Sequence, residues 1–195
     1  WSGYLPSEVK ETHSLKNFSK LNCAINIQGG NTMNVKIETK PAFHLIGVTK
    51  RVAIQFEGEN QQIIELAKTI SPEQRESLQT YNDLYPHQVI NASYDFDEGR
   101  LDETGKLTHM IGFVSEKETI HPDFSQVTVP SQKLAIFTCK GTFPETLQST
   151  WKKIYSEWLP ANPYELVEAP EISFSNYAEP IESRSSEIWL AVKEK

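Results

Sequence analysis

Polar and apolar positions alternate with a period of two through much of the chain, and the period lengthens to three or four in only a few places. Leu21, Cys23, Ile25 and Ile27 alternate with polar residues apart from Ala24, the spacing of a half-buried strand. Gly29-Gly30-Asn31 closes that segment. Val35 and Ile37, then Phe43-His44-Leu45-Ile46-Gly47-Val48, continue in strand pattern. Residues 61–69 carry Ile63, Ile64, Leu66 and Ala67 and predict a short helix. Residues 88–96 and 107–114 read as strands, separated by an acidic turn region that starts at Asp97-Glu98-Gly99 and runs to Gly105.

The second half repeats this order. Residues 126–138 hold two strand-like stretches broken at Pro130, residues 146–159 predict the best helix of the chain, and residues 171–177 and 186–192 predict strands. In the helix, Leu147, Trp151, Ile154 and Trp158 follow one another at helical spacing and form one apolar stripe, with Tyr155 beside it and Pro160 as the stop. The two tryptophans read either as core residues on a sheet or as the wall of a ligand pocket.

Strand, helix, strand, strand thus occurs twice, without close residue identity between the halves. The expected fold class is α+β: two such units about a pseudo-twofold, a curved antiparallel sheet with both helices on one face, and a ligand cleft on the other. Residues 33–195 would form that domain, with halves at about 33–120 and 121–195. Residues 1–32 read as a linker with one strand.

Composition narrows the function. The chain has 195 residues, 10% of them aromatic, so it has the means to build a core. Its formal net charge of −7 disfavours binding nucleic acid through its own surface. No apolar run approaches the roughly 20 residues of a membrane span. Trp1-Ser2-Gly3-Tyr4 lacks the basic and apolar stretches of a signal peptide, and with no initial Met the chain reads as a fragment or processed product. Cys23 and Cys139 read as reduced thiols of a cytoplasmic protein. Phosphate-loop, dinucleotide, zinc-protease and serine-hydrolase motifs are absent, and the five histidines are scattered, so neither cofactor nor metal is expected.

The last strand carries the chemistry. Ile188, Leu190 and Val192 point one way, towards the helices; Glu187, Trp189 and Ala191 point the other. A carboxylate beside an aromatic reads either as an ordinary solvent-facing glutamate or as the floor of an aromatic groove. In the second case it invites a lipophilic cation to supply the missing charge. Aligning residues 107–114 with the last strand puts His109 in the place of Glu187, which predicts that the two face each other across the groove. The pattern leaves open whether the groove is vacant, because Phe43, Tyr85 or the acidic turn could fill it.

These residues resemble the GyrI-like effector-binding domain. The likeness rests on Phe43-His44-Leu45-Ile46-Gly47, Tyr94-Asp95, Met110-Ile111-Gly112, Pro130, and Phe137-Thr138-Cys139-Lys140-Gly141 leading to Pro144-Glu145. Its most specific parts are residues 151–160 and Glu187-Ile188-Trp189-Leu190-Ala191-Val192. Trp1-Ser2-Gly3-Tyr4-Leu5-Pro6-Ser7-Glu8-Val9-Lys10 looks like the end of an AraC-type helix-turn-helix domain. The resemblance implies the effector-binding part of a bacterial transcription regulator, with DNA reached only through a helix-turn-helix domain missing from the chain. It implies multidrug-like binding of a small aromatic or lipophilic effector in a cleft centred on Glu187. Candidate ligand-binding residues are Glu187, His109, Trp189, Trp151, Tyr155 and Trp158. Family members often carry tyrosine where His109 stands, and a protonated imidazole there would repel a cation. The alternatives are a small-molecule hydrolase with Glu187 as general base, and a module whose cleft binds a protein edge. A homodimer is left open.

Overall fold

The computed structural model describes residues 22–27, 31–55, 58–98, 103–119 and 121–195. Apart from its strand, the expected linker and helix-turn-helix remnant lie outside these residues. The strands are β1 (Asn22–Ile27), β2 (Asn31–Lys40), β3 (Phe43–Ala53), β4 (Ile90–Tyr94), β5 (Lys106–Ser115), β6 (Ser125–Val129), β7 (Gln132–Gly141), β8 (Tyr164–Leu166), β9 (Glu171–Ser175) and β10 (Arg184–Glu194). Helices α1 (Gln61–Thr69) and α2 (Pro72–Gln79) follow β3. Helix α3 (Glu145–Lys153) follows β7 and continues through a π-helical turn, Ile154–Trp158, and a last turn, Leu159–Ala161. It thus ends one residue beyond Pro160, which sits within that last turn and does not stop the helix ahead of itself.

Nine strands form one antiparallel sheet in the order β1-β2-β7-β10-β9-β4-β5-β3-β6, and β8 pairs with the end of β10. The sheet is not closed into a barrel, but its connections force it to curl. Only Pro41 and Ala42 join β2 to β3, yet five strands lie between them. In a flat sheet that gap is about 29 Å, from strand spacings of about 4.8 Å. Three peptide units reach only about 10 Å. The link from β6 to β7 through Pro130 and Ser131 imposes the same constraint. The sheet therefore bends into a trough, and the Ser131 hydroxyl donates to the Lys40 carbonyl at 3.0 Å, tying the two links together.

The halves meet between β4 and β9. There Ala92 faces Ile172, and the flanking pairs Asn91–Ser173 and Ser93–Glu171 are exchanged by a twofold. Following the register outwards, β3, β4 and β5 correspond to β7, β9 and β10. Each half also lends its leading strand to the other: β2 pairs with β7, and β6 with β3.

The period of two sorts the core. On the helix side, Ile46, Ile111 and Phe113 pack with Leu66, Ile70 and Leu78 of the first helices. Phe137, Ile188 and Leu190 pack with Ile154 and Trp158 of the long helix. Inside the trough, Phe43, Leu45, Met110, Leu134, Ile136, Phe174 and Trp189 form a separate buried cluster. Gly47 and Gly112 stand opposite each other where β3 pairs with β5. A Cβ on Gly47 would overlap the Ile111 carbonyl, and one on Gly112 the Ile46 carbonyl. Among the described residues no helix is long and apolar enough to cross a membrane.

Candidate ligand cleft

Glu187 lies half-buried in the trough, on β10 between Thr138 of β7 and Phe174 of β9. Trp189 is two residues further along the same face, as the alternation requires. Its Nε1–H donates to Glu187 Oε1 at 2.7 Å, and the Tyr85 hydroxyl donates to Oε2 at 2.8 Å. Each carboxylate oxygen thus accepts a hydrogen bond from an aromatic side chain. Burial pushes the Tyr85 phenol up to about 12, helped by the hydrogen bond to Glu187 and its charge.

The rings form a box around Trp189. Tyr85 lies nearly parallel to it, 14° between planes and 6.1 Å between centroids. Phe174 and Phe43 meet it edge-on at 5.6 Å and 6.1 Å. Trp189 is 1% exposed, whereas Tyr85, the outermost ring, is 53% exposed. Lys40 reaches in from the end of β2, its Nζ 4.8 Å from the Trp189 centroid and 5.8 Å from that of Tyr85. Beside the box opens a pocket of about 480 Å³, lined by Asn34, Tyr85, Thr138, Lys140, Ser185 and Glu187 among others.

The first half has a counterpart pocket of about 490 Å³ lined by Tyr94, Phe96, Val127 and Val167 among others, but no carboxylate in the place of Glu187. Register puts Thr108 there, since Tyr94 pairs with Thr108 as Phe174 pairs with Glu187. Thr108 accepts from Arg51 at 3.2 Å, and Arg51 also pairs with Asp97 of the acidic turn at 2.6 Å.

His109 is not in the cleft. It sits one residue from the true counterpart of Glu187 and so on the opposite, helix-facing side. It is 4% exposed there. Its Nε2 faces the Asn91 side-chain oxygen at 3.0 Å and so carries the proton, which leaves Nδ1 to accept from Ser93 at 3.2 Å. Burial holds the imidazole down to about 4, so it is neutral at neutral pH and brings no charge to a ligand.

Trp151, Tyr155 and Trp158 also lie on the helix side, separated from Glu187 by the sheet. Trp158 packs on Phe137 at 4.9 Å and on Tyr164 at 5.9 Å, and Trp151 stacks on Tyr155 at 6.3 Å. Tyr155 donates to Glu171 at 2.7 Å. These three residues hold the long helix to the sheet. Of the expected ligand-binding residues the cleft brings together Glu187 and Trp189; Phe43 and Tyr85, named from sequence only as residues that could fill the groove, form part of its wall, and Phe174 and Lys40 are additions. Tyr85 comes from an aperiodic loop, which gives no pattern to read. Lys40 continues the polar face Asn34, Lys36, Glu38 of β2, a signal that was present.

Residues 33–193 match the profile of the GyrI-like small-molecule binding domain. This chain belongs to that family. No curated protein matches it in sequence. Among solved structures, SAV2435 bound to tetraphenylphosphonium superposes with a TM-score of 0.62 at 18% identity, over 82% of this chain and 93% of that one. The EcmrR C-terminal domain gives 0.58 at 15%, over 84% and 99%. EcmrR in its complex with DNA gives 0.57 at 14%, over 84% of this chain and 58% of that longer one. At these identities the likeness is one of fold. The GyrI-like fold supplies the curled sheet and helices; the box around Trp189 is read from this chain's own side chains.

Proposed function

We propose that this GyrI-like domain is the ligand-sensing part of a transcription regulator, and that its effector is a small aromatic or lipophilic molecule held at Glu187, Trp189 and Tyr85. The observation that carries this reading is the pair of aromatic hydrogen bonds on Glu187, with Tyr85 as a half-exposed outer wall. A ligand that swings Tyr85 aside meets a half-buried carboxylate, the face of Trp189 and the adjoining pocket. Moving Tyr85 would also move the loop between α2 and β4, a route from ligand to the rest of a regulator.

The neighbours support this reading by analogy, since one was solved with a lipophilic aryl ion and another with DNA. DNA binding would belong to a segment joined ahead of residue 33, in a cytoplasmic protein, with self-association as one means of response.

The test is a fluorescence titration of aromatic compounds of both charges. Quenching that disappears in Trp189→Phe, with a dissociation constant changed more than tenfold in Glu187→Gln, is expected. An unchanged constant in Glu187→Gln would remove Glu187 from the site.

A further inference from the structure

Lys40 stands where a bound cation would stand. Its ammonium lies over the faces of Trp189 and Tyr85, the position that the negative ring faces favour for a positive charge. Cation, rings and carboxylate are therefore already assembled within the chain. The ammonium has no close counter-ion there. Its side chain is 20% exposed, and its ion-pair partner Glu38 is 3.9 Å away, beyond hydrogen-bond distance. Glu38 is shared with Lys36, which is closer at 3.1 Å. Among the described residues no acceptor hydrogen-bonds the Lys40 ammonium, while Glu187 has two donors. Lys140 adds a third lysine to this face, at the pocket lining, 3.9 Å from Glu179.

We propose that Lys40 sets the charge of the ligand: it fills the cation position of the aromatic box, so the cleft rejects lipophilic monocations and selects aromatic anions. A second cation entering the box would have to displace Lys40 or share the ring faces with it. An aromatic anion, by contrast, brings the Lys40 ammonium the counter-charge that Glu38 supplies only at 3.9 Å, while its aromatic body takes the place of Tyr85 against Trp189. This rests on the ligand-cleft reading of Glu187 and Trp189 and goes beyond it in naming the ligand's charge.

The test uses two ions of nearly equal size and shape, tetraphenylborate and tetraphenylphosphonium, titrated calorimetrically into the full chain, Lys40→Met and Lys40→Arg. The unaltered chain is expected to bind the borate at least tenfold more tightly than the phosphonium. Lys40→Met should move that ratio at least tenfold towards the phosphonium, and Lys40→Arg, which keeps the charge, should keep the order. A ratio that does not move in Lys40→Met, or a preference for the phosphonium in the unaltered chain, overturns the role of Lys40 and leaves the cleft standing. If neither ion binds the folded chain or folded Lys40→Met, the cleft itself is refuted, and this inference with it.

Discussion

Tyr85 reaches from a loop to Glu187, 102 residues away in sequence, and closes the trough over Trp189 with a 2.8 Å hydrogen bond. The ring does the covering: it lies parallel to the indole and leaves Trp189 almost without solvent contact. Tyr85→Ala should uncover Trp189. Its emission is expected to move to the red and to become accessible to acrylamide, changes absent when Trp189→Phe is added. Unchanged emission in Tyr85→Ala would mean that other residues shield the indole.

The buried His109 makes a prediction about acid. Its folded pKa of about 4 lies below the ordinary 6.5, so the unfolded chain takes up the proton first. The associated stability is fully present above pH 6.5 and is lost as pH falls towards 4. Between pH 7.5 and 5 the loss from this group is about 2 kcal/mol. Urea unfolding at both pH values should show it, and His109→Gln should reduce it by about that amount. An equal acid loss in His109→Gln would assign the sensitivity to the carboxylates instead.

Trp158 is a core residue on the side away from the cleft. Trp158→Ala should cost about 3–5 kcal/mol of unfolding free energy. Ligand affinity measured below the unfolding transition should stay within a factor of about three. Lost binding with intact stability would place Trp158 in the site.

The close pairing of β3 and β5 allows no side chain at Gly47 or Gly112. Gly112→Ala would drive a methyl group into the Ile46 carbonyl and is expected to destabilise by about 3 kcal/mol or more. Denaturant unfolding checks this, and a near-neutral result would show that the two strands can part there.

Much of this architecture is legible in the sequence because strands and the two longer helices announce themselves by period. The bounds of α1 follow from Ile63, Ile64 and Leu66, and the break at Pro130 falls between β6 and β7. Helix α2 escapes because only Leu78 on it is buried. Its visible mark was the capping box of Ser71 and Gln74 with Pro72 at the start. The site is less legible. Aligning two halves that share almost no residues left a slip of one position at His109, and in a strand one position changes the face. Trp151 and Trp158 had two readings from their stripe, and only the sheet between them and Glu187 decides. Tyr85 reaches the box from a loop that has no period, and Lys40, marked by the polar face of β2, meets the rings of the box only through the curl of the sheet.

The most direct test of the central claim, that an aromatic ligand enters the box of Glu187, Trp189 and Tyr85, is tryptophan fluorescence during separate titrations with tetraphenylborate and tetraphenylphosphonium. Saturable quenching in the unaltered chain that is lost in Trp189→Phe, with both proteins folded, is the expected result. Absence of quenching by both ions in the unaltered chain, or quenching that persists without the Trp189 indole, would contradict it.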